Sequence, residues 1–307
     1  MNKLSNKNKY IALILIFLSL ILVCISYFYA KQNFVILLRV SEQLGFGPRY
    51  VGSEGHSKVK KYIFNELALS KAVIEKQEWT DSDSGLVLTN IIARFNPDAK
   101  ERLIVATHYD TDPRATKDKN NKNRPVPGAS DGASGVAVLL ELAKNFEDLD
   151  LKKYLGVDLV FFDAENFEPG SFEDWRPKGS TYFSENINSL YKVTPTKAIV
   201  VDMVCDKNLN FKKESSSLKA NEEEVNRLWE IGQKIAPKSF LDHTTGEIKD
   251  DHTPLNKIGI PSILLIDLDY PYHNTTKDTI DKCSRESLKI VYNTLENYLK
   301  SAAIEKD

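Results

Sequence analysis

The sequence predicts a single α/β domain whose mixed, mostly parallel central sheet is flanked by helices, with one transmembrane helix ahead of it. Three observations carry this expectation. Continuous apolar runs at Val157–Phe162, Lys197–Val204 and Ser262–Ile266 read as strands buried on both faces. Segments with helical apolar spacing alternate with them, as in a sheet covered by helices. Residues 10–30 contain no charged side chain and stand apart from the rest.

That first run, YIALILIFLSLILVCISYFYA, spans roughly 30 Å as a helix, the thickness of a bilayer core. Lys3, Lys7 and Lys9 precede it, which predicts a cytoplasmic tail over 1–9, a signal anchor over 10–30 and an extracytoplasmic domain over 32–307. A cleaved signal, giving a secreted protein, is the alternative. Its apolar region is usually shorter and ends in small residues, whereas this run exits through Tyr27, Phe28 and Tyr29. Val23 before Cys24 does not fit a lipoprotein signal.

Beyond the anchor no repeat or low-complexity tract interrupts the chain, so one compact domain is expected. Phe34–Leu44 and about Glu54–Leu69 have helical spacing. Val73–Trp79 and Val87–Phe95 read as strands, paired as an antiparallel hairpin at the sheet edge, and Arg102–Thr107 as a third. Gly132–Phe146 reads as a helix with Val136, Leu139, Leu140 and Ala143 on one face. Helices are also expected at Glu222–Ile235 and Ser284–Ser301.

Composition narrows the function. The 41 basic and 43 acidic side chains leave a net charge of -2, which speaks against a nucleic-acid binder. With 42% hydrophobic residues, 13 Tyr and 14 Phe, the chain is not disordered by composition. Three Cys cannot build a disulfide framework.

Polar residues gather where the apolar strands end, the place where an open α/β sheet builds its site. The run 103–107 leads into His108, Tyr109 and Asp110, and the run 157–162 into Asp163, Ala164, Glu165 and Asn166. Ile199–Val201 leads into Asp202, and Ser262–Ile266 through Asp267 and Asp269 to His273 and Asn274. Gly128–Gly132 makes a tight loop that presents Asp131 near a helix N-terminus, where an anion is favoured. His, Asp and Glu converging from several strand ends are the ingredients of a zinc site, since zinc takes imidazole nitrogen and carboxylate oxygen. Asp110, on the same side of the chain as His108, is placed to orient its imidazole from behind. Taken singly, Asp131, Asp250 and Asp251 read equally well as helix caps. His56 and His243 lie in polar stretches without neighbouring carboxylates and read as surface residues.

THYDTDP (107–113) followed by PGASDGASGVAVLLELAK (127–144) resembles the two metal-site segments of zinc aminopeptidases and the related glutaminyl cyclases, with the cyclase branch the closer match. FGPRYVGSEGH (46–56), NIIARFNP (90–97), VFFDAENF (160–167), VDMVCDKNLNF (201–211), DDHTPLNKIGIPSILLIDLDYPY (250–272) and DKCSRESL (281–288) extend the resemblance colinearly over most of 42–300. It implies a single α/β domain that acts on peptide N-termini with at most one zinc ion, with no part for nucleic acid. In the cyclase reaction an N-terminal glutamine closes to pyroglutamate and releases ammonia; an aminopeptidase would instead hydrolyse the first peptide bond.

By that resemblance Glu165, Asp202 and Asp250 match the acidic proton-transfer network, with Glu165 as general base. Asp131 matches a zinc ligand. The other two ligand positions fall on Asn166 and Asn274, because YPYHNTT (270–276) carries His273 where an aromatic residue is usual. A neutral amide is a much poorer zinc ligand than carboxylate or imidazole. Either His273 enters by a one-residue loop shift and Glu165 ligates directly, giving up its base role, or the metal lies in the pocket of His108, Asp131 and Asp202, which matches a second aminopeptidase zinc position. A metal-poor pseudoenzyme is the third possibility. Trp175, in the loop 172–176, and Tyr272 are expected to line the pocket.

Overall fold

A computed structural model describes residues 6–151, 154–167 and 176–303; the side chains of residues 6–9, 11–12 and 22–34 lie outside the described set. The helices are α1 (Asn6–Gly45), α2 (Glu54–Leu67), α3 (Ala133–Lys144), α4 (Lys178–Glu185), α5 (Ile187–Leu190), α6 (Ser215–Ile235), α7 (His252–Lys257) and α8 (Arg285–Ala302). The strands are β1 (Val73–Thr80), β2 (Val87–Phe95), β3 (Glu101–His108), β4 (Leu155–Phe162), β5 (Lys197–Asp202), β6 (Phe211–Glu214), β7 (Phe240–Thr245) and β8 (Ser262–Ile266).

Six strands form one sheet in the order β1-β2-β4-β3-β5-β8. β1, β2 and β4 pair antiparallel, while β4, β3, β5 and β8 run parallel. The sheet is mixed and mostly parallel, with the expected hairpin at its edge. Side chains alternate between its faces. Val105, Leu159, Phe161, Val201 and Leu265 pack under α1, α2, α3, α6 and α8. Ala106, Val160, Phe162, Val200 and Leu264 pack under α4, α5 and α7. Burial on both faces explains why these strands read as continuous apolar runs.

α3 lies nearest the sheet and is buried from Ala133 to Ala143. Gly135 permits that approach: a Cβ there would stand 2.0 Å from Thr107 Oγ1 and 2.8 Å from the Val201 carbonyl.

Three differences from expectation have physical reasons, and one disulfide is added. The helix expected at Phe34–Leu44 is the end of α1, continuous with the segment before it. Its last turns dock through buried Ile36 and Val40 and through the Gln43 amide, which donates to the Ala133 carbonyl at 3.0 Å. α6 begins at Ser215, not Glu222; the backbone leaves helical geometry at Asn221, so the expected start marks its second half. β6 and β7 form a separate two-stranded parallel sheet and bury too few residues to leave a pattern. Cys205 and Cys283 form a single disulfide across a separation of 78 residues, a staple and not a framework.

The expected membrane span, 10–30, falls inside α1. Tyr10, Leu13, Ile14, Leu15, Ile16 and Phe17 are exposed, and residues 11–12 and 22–30 have side chains outside the described set. Among the described residues no helix is long and apolar enough to cross a membrane.

Candidate metal centre

Three side chains meet at the carboxyl ends of the parallel strands. His108 ends β3, Asp202 ends β5, and Asp131 comes from the loop that leads into α3. All three are buried, and their ligand atoms lie within 4.8 Å of one another. His108 Nε2 stands 3.0 Å from Asp202 Oδ1 and 3.4 Å from Asp131 Oδ1. One imidazole nitrogen and two carboxylate oxygens form a donor set that suits zinc, with further positions left for water or substrate.

The surroundings fix these groups. Asp110 Oδ1 lies 3.5 Å from His108 Nδ1, on the orienting side expected of it. The Asp110 carboxylate also accepts the backbone N–H groups of Glu165 at 3.0 Å and Asn166 at 2.9 Å, so the two strand ends are tied together. Asp131 is not a helix cap: α3 is capped by Gly132, at φ +90°, without a side-chain bond. A Cβ on Gly132 would come within 2.5 Å of the Asp110 carbonyl, so only glycine lets the loop pass behind His108. Asp251 caps α7 without a side-chain bond either. Asp250 accepts the Asp251 N–H at 2.5 Å.

The electrostatics are those of a buried acidic cluster. Burial pushes Glu165 and Asp250 well above the usual carboxylate range, reinforced for Glu165 by Asp250 and Asp251 and for Asp250 by Asp202 and Asp251. Asp251 is pushed up to about 7 and Asp112 to about 8, burial again being the main cause. Burial alone would lower His108, but Asp202, Asp110 and Glu165 outweigh it and raise this imidazole well above its ordinary range. Buried carboxylates in excess over one imidazole are costly unless a further cation shares the space. The donor set and this surplus of negative charge both fit a bound divalent metal.

The degenerate positions are also resolved. Asn166 Nδ2 donates to Asp131 Oδ1 at 3.0 Å. His273, not Asn274, turns toward the cluster, with Nε2 3.8 Å from Asp131 Oδ2. Its Nδ1 accepts a hydrogen bond from Lys117 Nζ at 2.9 Å. Burial first, and Lys117 with it, lowers the His273 pKa. Asn274 sits at φ +55° with its Oδ1 buried and unpartnered. Tyr272 packs edge-on against Tyr270, with Lys282 Nζ 4.8 Å from its ring centre. Trp175 and most of its loop lie outside the described residues.

Sequence reasoning misread one residue and missed two. His56 is buried, not a surface residue: its Nε2 lies 2.6 Å from Asp163 Oδ1 and its ring stacks on Tyr109. His243 is exposed, as expected. Arg49 is wholly buried and donates to the carbonyls of Pro127 at 2.8 Å and Gly128 at 2.6 Å, holding the loop that presents Asp131. Asp278 accepts the N–H groups of Ser130 at 2.8 Å and Asp131 at 3.1 Å from the other side. Only a polar residue inside FGPRYVG hinted at the first; the second carried no local signal.

The mixed sheet, with an Asp/Asp/His pocket at its strand ends, places the chain in the zinc aminopeptidase-like superfamily, as do its solved neighbours. The sequence pattern of peptidase family M28 matches residues 90–299, and the chain belongs to that family. It is similar to the glutaminyl-peptide cyclotransferase of Bothrops jararaca, 26% identical over 282 residues that cover 77% of this chain and 75% of the relative. Among solved structures it resembles a Zn-dependent exopeptidase from Parabacteroides distasonis, at 30% identity and a TM-score of 0.80, covering 87% of this chain and 97% of that one. It resembles the glutaminyl cyclase of Fimbriiglobus ruber equally in fold, at 28% identity and a TM-score of 0.80, covering 87% and 94%.

Proposed function

We propose that this chain is a single-metal enzyme of the glutaminyl cyclase type, converting N-terminal glutamine of peptides to pyroglutamate with release of ammonia. The observation that carries the reading is the likeness to glutaminyl-peptide cyclotransferases over 77% of the chain, together with the buried acids Glu165, Asp202 and Asp250 at the metal pocket. A zinc ion held by His108, Asp131 and Asp202 would supply a Lewis acid for the glutamine γ-carbonyl.

The chain's own groups then account for proton movement. The substrate α-amine forms a bond to the γ-carbon, and the bond from that carbon to the amide nitrogen breaks. Glu165 takes the proton that the amine loses and returns it to the departing nitrogen, which leaves as ammonia. A carboxyl whose pKa is raised toward the working pH can both accept and donate. Asp250 and Asp251 sustain that upward shift in Glu165 by like-charge repulsion.

The second reading is an aminopeptidase, with Glu165 activating a water against the first peptide bond. Its support is that the intact pocket is His108, Asp131 and Asp202, while Asn166 makes a hydrogen bond to Asp131 where a cyclase-type ligand would stand. A pseudoenzyme is the third reading, supported by the same Asn166. One set of assays separates them. Ammonia release from a Gln-initiated peptide supports the first, and amino-acid release from aminoacyl anilides the second. Neither activity together with less than 0.1 equivalent of zinc, as an order of magnitude, leaves the third.

We further propose that residues 10–30 tether the domain outside the cytoplasmic membrane. The uncharged run, the preceding lysines and the exposed apolar side chains of α1 support this. The Cys205–Cys283 disulfide suits an oxidising compartment. Extraction only by detergent, with the domain open to protease added outside intact cells, is the expected result; a soluble fraction holding the full-length chain would refute it.

A further inference from the structure

The segment 113–127 crosses beside the site and is tied down at several points. Ala115 N–H donates to the Arg124 carbonyl at 2.7 Å, and Val126 N–H to that of Asp112 at 3.0 Å. Lys117 N–H donates to the Asn274 carbonyl at 3.1 Å, and Asp118 Oδ2 accepts the Thr276 N–H at 2.9 Å. Lys117 is therefore fixed by its backbone against the loop that carries His273, and its Nζ lies 2.9 Å from His273 Nδ1.

We propose that Lys117 fixes His273 in the tautomer protonated on Nε2, which prevents His273 from ligating a metal and confines the ion to His108, Asp131 and Asp202. This rests on the metal assignment made above. A lysine ammonium has donors only, so Nδ1 must be the acceptor, and a neutral imidazole then carries its proton on Nε2. That nitrogen faces Asp131 Oδ2 at 3.8 Å as a donor, with no lone pair to offer a cation. Ligation through Nε2 would put the proton on Nδ1, which ligating histidines normally give to a carboxylate or carbonyl. Here that proton would meet another donor, the Lys117 ammonium. Asn166 reinforces the block, because its Nδ2 donates to Asp131 Oδ1 at 3.0 Å and adds a second N–H where a second ion would need electron pairs. His273, held by Lys117, and Asn166, bonded to Asp131, thus close one half of the pocket instead of opening it to a metal.

The test uses the full chain in detergent, stripped by chelator and ¹⁵N-labelled, with His273 assigned by His273→Gln. Long-range proton–nitrogen spectra should show His273 protonated on Nε2, and Lys117→Met should abolish that preference. Cobalt(II) titration should then show one equivalent bound by the parent. With Asn166→Glu alone, the second equivalent should bind at least tenfold more weakly than with Lys117→Met and Asn166→Glu together. Protonation on Nδ1 in the parent, or equal affinity for the second equivalent in the two variants, would overturn the proposal. Failure of the first equivalent to bind, or its survival in Asp202→Asn, would refute the underlying metal assignment instead, while the His273 spectrum still decides the role of Lys117.

Discussion

Asp163 offers the sharpest test of how the site is held. Its carboxylate is wholly buried and makes two bonds, to His56 Nε2 at 2.6 Å and to the Thr89 N–H at 2.8 Å. Asp163→Ala removes both acceptors at once. Each buried donor left without a partner costs about 1–3 kcal/mol, so the two together cost about 4 kcal/mol. At about 2–4 °C per kcal/mol for a domain of this size, melting should fall by about 8–16 °C. Asp163→Asn keeps an acceptor for Thr89 and should lose about half as much. The same change should reach the chemistry, because Asp163 precedes Ala164, held at φ +57°, and then Glu165. Calorimetry of the chelator-treated protein gives the first number, and turnover below the melting range gives the second. A melting temperature for Asp163→Ala within 2 °C of the parent, as a rough threshold, would refute the reasoning.

Three more outcomes follow from particular groups. Cys205→Ser should cost about 4.5 kcal/mol in denaturant titrations, the loop-closure value for the 78-residue separation of Cys205 and Cys283. Asp278→Ala should lower metal affinity without touching a ligand, because it releases the N–H groups of Ser130 and Asp131; isothermal titration with zinc reads this, and an unchanged affinity would exclude a positioning role. The metal-free protein should lose stability as pH rises from about 4 to about 8. Asp251 and Asp278, raised to about 7, and Asp112, raised to about 8, bind protons in the fold that the unfolded chain has already released. Their stabilisation is complete below the unfolded carboxylate range and is lost as pH climbs through the folded values. Chelated protein that melts higher at pH 8 than at pH 5 would contradict the sign, and zinc should offset the loss at pH 8.

The legible parts of the sequence were those where burial left a pattern. β4, β5 and β8 are continuous apolar runs because both sheet faces are covered, and His108 and Asp202 were recognisable because they end such runs. β7 has one buried residue in six, and α4 is the polar stretch KGSTYFSE with little helix propensity, so neither announced itself. Partnerships across the chain left no trace at all. His56 looked solvated because its carboxylate stands 107 residues away, and Lys117 drew no notice because its histidine lies 156 residues on. Periodicity reports the face a residue buries, whereas a partner is chosen by the topology that brings two loops together.

The net charge of -2 conceals how unevenly the protein distributes its counter-ions. Several buried structural acids are given a basic partner. Asp158 accepts from Arg94 Nη1 at 3.1 Å and Arg102 Nε at 3.0 Å, and Asp163 has His56. Glu214 caps α6 and faces His252, and these bonds hold its pKa far below the usual carboxylate range despite its burial. Around Asp131, Glu165, Asp202, Asp250 and Asp251 this provision stops. Arg49, the nearest buried guanidinium, gives its donors to the carbonyls of Pro127 and Gly128, and Lys117 gives one to an imidazole. His108 is the cation whose charge reaches Glu165, Asp250 and Asp251, while the buried Arg49 guanidinium also lies in the field of Asp131. Unlike Asp158, which two arginines neutralise, these five carboxylates are gathered together with little positive charge among them. The deficit coincides with the three-residue ligand set, so the missing charge is best supplied by a metal ion there and not by a side chain.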